Sequence, residues 1–309
     1  MVLAILQMVL PVILTFLLGA FCRRRQIVKP EGLAGVRALV SSILLPVVLF
    51  NAFFTAEYSA RIALTFVTVF AACSLGLAAG FALRRFAAPH CKFMPFLVTN
   101  FEGGMLGYAL FALLYPGQTS VFAMADIGQT LCAHTVFLVA LVAVSGGKAS
   151  PLQLAKRALS TPALIGSLLG VALGALGVGR AVLNSPAGAI VSDTIAFISA
   201  PVTALILIIV GYDLSFRREL MRPVMITAAL RLAIMAVLAV FSYAVIFHFI
   251  PFEKPLFTAL LLAYSLPAPF IVPLYADVTG HADYISTTLS VETILSILLF
   301  IALAAYTLA

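Results

Sequence analysis

Apolar positions run through the chain in long unbroken stretches, and the polar ones gather in short clusters between them. A helix rising 1.5 Å per residue needs about 20 apolar residues to cross a hydrocarbon layer about 30 Å thick. Dividing the chain wherever charges or Pro/Gly/Asn clusters interrupt gives ten segments, roughly 3–22, 38–56, 62–83, 93–115, 121–144, 160–178, 190–211, 223–249, 256–276 and 286–307. The run 93–147 holds only the acids Glu102 and Asp126 and is too long for one span; Pro116-Gly117-Gln118-Thr119-Ser120 divides it. No strand-length alternation recurs, so a β-barrel is excluded. The pattern predicts an all-α polytopic membrane protein.

Composition agrees. Of 309 residues 63% are hydrophobic and 9% charged, with a mean hydropathy of +1.18, against about 45–50% and about 25% in soluble domains. The net charge of +7 does not point to nucleic acid, because the basic residues form clusters between apolar segments rather than a patch. They read as topology signals. With the N-terminus outside, the inner loops collect fourteen Lys and Arg: Arg23, Arg24, Arg25, Lys29, Arg37, Arg84, Arg85, Lys92, Lys148, Lys156, Arg157, Arg217, Arg218 and Arg222. The outer loops hold three, Arg61, Arg180 and Lys254. The expected location is the plasma or inner membrane, multi-pass, with both termini outside. The first segment lacks a basic stretch before it and is followed by Arg23-Arg24-Arg25, so it reads as a membrane helix rather than a cleaved signal. Cys22, Cys73, Cys91 and Cys132 lie in or beside apolar segments without metal-ligand spacing, so neither disulfide nor zinc is expected.

The largest inner connection, 145–160, parts the segments into two groups of five. An odd number per group makes the second insert upside down relative to the first. This predicts an inverted repeat, 1–147 and 160–309 with a cytoplasmic linker at 148–159, and such repeats place the binding site of secondary transporters near the midplane. Two interruptions fall at corresponding places. In segment 4, Asn100, Glu102, Gly103, Gly104 and Gly107 come together, with Glu102 about 14 Å deep. In segment 9, Leu266-Pro267-Ala268-Pro269 lies about 16 Å deep, with Pro273 about a turn further. Prolines remove N–H donors and free carbonyls, so both segments are expected to be broken helices facing a polar cavity.

A carboxylate at mid-membrane costs at least ~2.5 kcal/mol unless paired or hydrated. Glu102 is therefore read as a proton or cation site, the alternatives being a partner of Arg231 or a neutral acid. Asn51 in segment 2 reads equally as a cavity residue or an interhelical hydrogen bonder. Gln129 and His134, about 12 and 20 Å from the outer end of segment 5, could line the cavity from the side or serve packing alone. Arg231 reads as snorkelling, Asp126 and Asp193 as residues near helix ends, and Thr287, Thr288, Ser290 and Glu292 as packing glue or an ion path. Gly166, Gly170 and Gly174 read as a close-packing stripe. No nucleophile elbow or Walker loop appears and His90, His134, His248 and His281 are scattered. Neither an enzyme nor a cofactor is expected.

The stretch 266–273 through Asp283-Tyr284-Ile285-Ser286-Thr287-Thr288 resembles the proline-rich ninth helix and following loop of the auxin efflux carrier family, which includes plant PIN transporters and bacterial malonate-type permeases. Leu45-Pro46 with Asn51, Thr161-Pro162, Ser192-Asp193, Gly211 and Gln129 are less specific matches. The resemblance implies two inverted five-helix repeats with helices 4 and 9 broken and crossing, as in sodium/proton antiporters and bile acid symporters. Helices 1, 2, 6 and 7 would form a scaffold and homodimer unit, and helices 3–5 and 8–10 a moving unit with an elevator mechanism. A small organic anion, a carboxylate in this reading, would bind near the crossing, with Asn51, Asn100, Gln129, Pro267, Pro269 and Pro273 carried over. The family usually has a proline shortly after the Asn of helix 4, where this chain has Gly107-Tyr108-Ala109, preceded by Glu102-Gly103-Gly104. The expected function is secondary active transport, with Glu102 coupling it to protons or sodium; the competing reading is a sensor or receptor that keeps the fold without translocating.

Overall fold

The computed structural model describes residues 2–56, 58–145, 159–272 and 278–308, and these residues are mostly helical with no strand among them. In chain order the helices are α1 Val2–Arg24, α2 Pro30–Phe54, α3 Ala60–Ala87, α4 Met94–Leu97, α5 Gly103–Leu114, α6 Thr119–Ser145, α7 Pro162–Ala175, α8 Val178–Leu183, α9 Gly188–Asp213, α10 Arg218–Phe249, α11 Lys254–Ser265 and α12 Ala282–Leu308. Seven of them, α1, α2, α3, α6, α9, α10 and α12, are long and apolar enough to cross a membrane. This is the architecture of a multi-pass membrane protein. Its outward surface fits that solvent: Phe197 is 83% exposed, Leu3 70%, and Val237 and Val240 68% each, an apolar surface that water would penalise.

Where the ten predicted segments do not become ten long helices, a local cause is visible. Segment 4 splits into α4 and α5 because Asn100 takes the left-handed conformation (φ 52°), which ends the helical hydrogen-bond ladder. Segment 9 stops at Ser265 because Leu266, preceding Pro267, is forced to an extended backbone (φ −69°, ψ 159°). Segment 6 is shorter than predicted, since left-handed Gly177 (φ 76°) turns the chain from α7 into α8. In α2 the backbone widens to a π-helical turn at Val40–Leu44, just before Pro46, whose missing N–H cannot serve the ladder. The linker 148–159, apart from Leu159, lies outside the described residues, as does Pro273.

Small residues set the closest helix contacts. Gly166, Gly170 and Gly174 of α7 lie so near α2 that a Cβ on each would come within 2.5 Å of the Pro46, Phe50 and Phe53 carbonyl oxygens respectively. The stripe is a close-packing face, as its spacing indicates. The pair α1 and α9 is built alike, with Gly19 against the Ile208 carbonyl and Gly211 against that of Phe16. The other long helices surround the broken segments: α3 packs on α6 and α10, α11 on α6 and α10, and α12 on α10.

The polar contacts sort the helix ends into two sets. One holds Arg23, which donates to the Tyr212 and Leu214 carbonyls, Arg37 paired with Asp213 at 2.6 Å, and Arg217 with Asp283 at 3.4 Å. The other holds Arg61 paired with Glu253 and Lys254 donating to the Thr307 carbonyl at 3.3 Å.

Candidate functional site

Between α4 and α5 the chain runs unwound from Val98 to Glu102, leaving the carbonyls of Leu97, Thr99 and Asn100 outside any helical ladder. Buried Thr99 donates to the Cys73 carbonyl of α3 at 3.0 Å, and Gln129 of α6 donates to the Phe101 carbonyl at 2.7 Å. Between α11 and α12, Leu266 to Pro269 is likewise non-helical and buried. The two unwound stretches touch through their backbones: the Glu102 N–H donates to the Pro267 carbonyl at 2.9 Å.

Side chains of opposite charge complete this crossing. The Glu102 carboxylate accepts the Met105 N–H at 3.1 Å on its own side and the Phe270 N–H at 2.7 Å on the other. Glu292 of α12 accepts the Ala268 N–H at 2.9 Å. On the carbonyl side stands Arg231 of α10, which donates to Leu97 and Thr99 oxygens at 3.1 and 3.2 Å and to Asn100 and Leu266 oxygens at 2.7 Å each. Its Nε lies 3.6 Å from Glu292, both side chains being 4% or less exposed. Carboxylates thus meet freed N–H groups and a guanidinium meets freed carbonyls, the match that half-helix dipoles favour. A fourth charged side chain, Asp126 of α6, is 2% exposed, and a Cβ on Gly103 would lie 2.0 Å from its Oδ1.

A cavity of about 120 Å³ adjoins the crossing, walled by α2, α5 and α9 with Thr119 at the start of α6. Asn51, Gly104, Tyr108, Ser199 and Thr203 are among its lining residues. The buried Ser199 hydroxyl has no hydrogen-bond partner among the described residues, and the Tyr108 hydroxyl faces the buried Asp126 carboxylate. Unsatisfied polar groups beside open volume signal a place for water or a polar solute. Gly104 keeps that volume open, since a Cβ there would meet nothing closer than 3.8 Å.

At the end that carries Arg217 and Asp283, the approach to α4 meets the approach to α12. His90 and His281 face each other with Nδ1 atoms 3.0 Å apart, and His90 stacks on Tyr284 at 4.2 Å. His90 is buried, and that burial, then His281, moves its pKa below the usual imidazole value.

Of the sequence-predicted residues, Asn100, Glu102, Gly103, Gln129, Pro267 and Pro269 gather at the crossing, and Asn51 and Gly104 line the cavity. His134 instead hydrogen-bonds the Thr130 carbonyl of its own helix at 2.8 Å. Two readings are corrected. Arg231 does not snorkel and does not pair with Glu102; it pairs with Glu292 and is the largest donor at the crossing. Glu292 is correspondingly more than packing glue. The signal available in the sequence was the burial cost of an arginine and a glutamate both placed well inside apolar segments, a cost that implies mutual pairing.

No family model matches the chain, and no curated protein matches it either.

Proposed function

We propose that this chain is a secondary transporter that moves a small organic anion, a carboxylate in the first instance, across the cell membrane. The observation that carries the reading is the direct meeting of two unwound mid-chain segments, Glu102 N–H to Pro267 O at 2.9 Å, beside a cavity to which Asn51, Tyr108, Thr119, Ser199 and Thr203 contribute polar groups. Unwound backbone at membrane depth is tolerated where it lines a cavity or is buried in protein, and in transporters it forms the binding site.

Packing supports the rest of the reading. If 1–147 and 160–309 are inverted repeats, exchanging them turns the close pair α1–α9 into α7–α2, which is the other close pair. The cavity lies between these tightly packed helices, through α2 and α9, and the broken segment, through α5. An elevator movement would slide the crossing, with α3, α6, α10 and α12, against the packed pairs α1–α9 and α2–α7. The resemblance to the auxin efflux carrier family adds the homodimer, formed through the packed group, and a carboxylate substrate. By the bias of the basic clusters, the helix ends that carry Arg23, Arg37 and Arg217 would face the cytoplasm and the chain termini the outside. Coupling to a proton or sodium gradient falls to Glu102, whose carboxylate joins both unwound segments.

The test is uptake by purified protein in liposomes, with labelled mono- and dicarboxylates and indole-3-acetate under imposed proton or sodium gradients. Saturable uptake that is lost in Asn51→Ala is expected. Binding without uptake would replace the transporter by a sensor on the same architecture. Uptake by Glu102→Gln with an unchanged response to pH would remove Glu102 from coupling.

A further inference from the structure

Carbonyl oxygens released by broken helices are the groups with which transporters of this architecture coordinate alkali cations. Here four of them, from Leu97, Thr99 and Asn100 of one break and Leu266 of the other, converge at 2.7–3.2 Å on one group, the Arg231 guanidinium. Glu292 supplies the carboxylate beside it. A backbone cage with one carboxylate is a donor set for a hard cation, and the space it encloses is filled by a side chain.

We propose that the Arg231 guanidinium is a tethered cation standing where a sodium ion would otherwise bind the two breaks, so that this crossing holds together, and works, without sodium. A guanidinium stays charged at every physiological pH and spreads its donors in a planar fork, which lets it reach carbonyls of both breaks at once. An exchangeable ion would bind in one state and leave in another. Arg231 cannot leave, so the two breaks stay joined as one unit, and of the two coupling ions named above the proton remains, taken up by the carboxyl groups on the opposite side of the crossing, Glu102 and Asp126. Glu292 is not available for it, because it already faces Arg231 and the Ala268 N–H.

This inference deepens the transporter reading, but its test does not depend on transport. Thermal unfolding of the purified full chain is followed in NaCl and in choline chloride at equal ionic strength. The wild-type midpoint is expected to agree between the two salts to within about 1 °C at about 100 mM, where an occupied site of millimolar affinity would shift it by several degrees. Arg231→Ala, which empties the cage, is expected to unfold at lower temperature and to recover selectively with sodium or with about 10 mM guanidinium, and not with choline. A saturable sodium-specific rise in the wild type overturns the proposal, as does an Arg231→Ala protein that folds and responds to all three cations alike. Should Arg231→Ala fail to fold, the wild-type comparison decides alone, with Arg231→Lys, which keeps the charge and loses the fork, expected to stay sodium-insensitive. If these arms come out as expected while uptake is absent, the transporter reading falls and the assignment of Arg231 stands.

Discussion

Neighbouring glycines at the crossing answer to different demands. Gly103 has the Asp126 carboxylate where a side chain would begin, whereas Gly104 looks into the cavity. Gly103→Ala is therefore expected to destabilise the fold by about 1–3 kcal/mol, the usual cost of forcing volume into a filled space, read as a lowered unfolding midpoint. Gly104→Leu should leave that midpoint nearly unchanged and abolish uptake by filling the cavity. A Gly104→Leu protein that transports normally would move the binding site elsewhere. Sequence identified both glycines as members of one break but not their separate roles, because helical spacing says nothing about which neighbour lies across from each. Arg231 shows the same limit in sharper form. Its depth was legible, about 12 Å into its segment, but its four carbonyl partners come from residues 35 to 134 positions away in the chain. Removing it would leave those carbonyls without its donors and Glu292 buried without its cation, a loss of about 3–5 kcal/mol for a broken buried pair.

At the scale of elements, both broken segments were legible because their causes are local. Pro267 fixes the conformation of Leu266, and the Asn-x-Glu-Gly-Gly run loosens helix 4. Their crossing came from the family resemblance rather than from the residues themselves, and the histidine pair that joins the segment leading into α4 to the one leading into α12 was not legible by either route. Two imidazole Nδ1 atoms 3.0 Å apart share one proton between them, and adding a second charge sets like charges face to face. The groups around them are Cys91 and Lys92 on the same segment, Tyr284 on α12, and the Asp283–Arg217 pair at its start. Because the His90 pKa is lowered on folding, the unfolded chain binds more protons than the folded one below the ordinary imidazole value of about 6.5. Stability supplied by this contact is complete above that pH and declines as pH falls through it toward the lowered folded value. The unfolding midpoint is expected to drop between about pH 7 and pH 5.5, and the drop should shrink in His90→Gln. An identical pH slope in the variant would show that other groups govern it.

For the whole molecule, the two sets of helix ends defined by contacts coincide with the two sets of loops defined by charge. Arg23 and Arg37 meet the end of α9 and Arg217 meets the start of α12, while Arg61 and Lys254 lie on the contacts of the opposite end. The odd-numbered repeat proposed for this chain rests on segment count and charge, since a bilayer lets helices run only up or down. What counting did not supply was the pairing of α1 with α9 and α2 with α7, which depends on glycine-to-carbonyl contacts between distant parts of the chain. These pairs interchange under the proposed repeat symmetry, and that symmetry has a consequence for orientation. Exposed Gln26, after α1, and exposed Asn184, after α8, must lie on opposite faces of the membrane. With Cys22, Cys73, Cys91 and Cys132 replaced, Gln26→Cys is expected to react with a membrane-impermeant maleimide only in inside-out vesicles, next to Arg23-Arg24-Arg25. Asn184→Cys should react only in right-side-out vesicles. Both sites labelled from one side would break the inverted arrangement itself, while both labelled from the reversed sides would keep the arrangement and overturn only its orientation. The first outcome would also remove the reason for setting α1–α9 and α2–α7 as equivalent pairs, and with it the structural basis for a moving crossing between them.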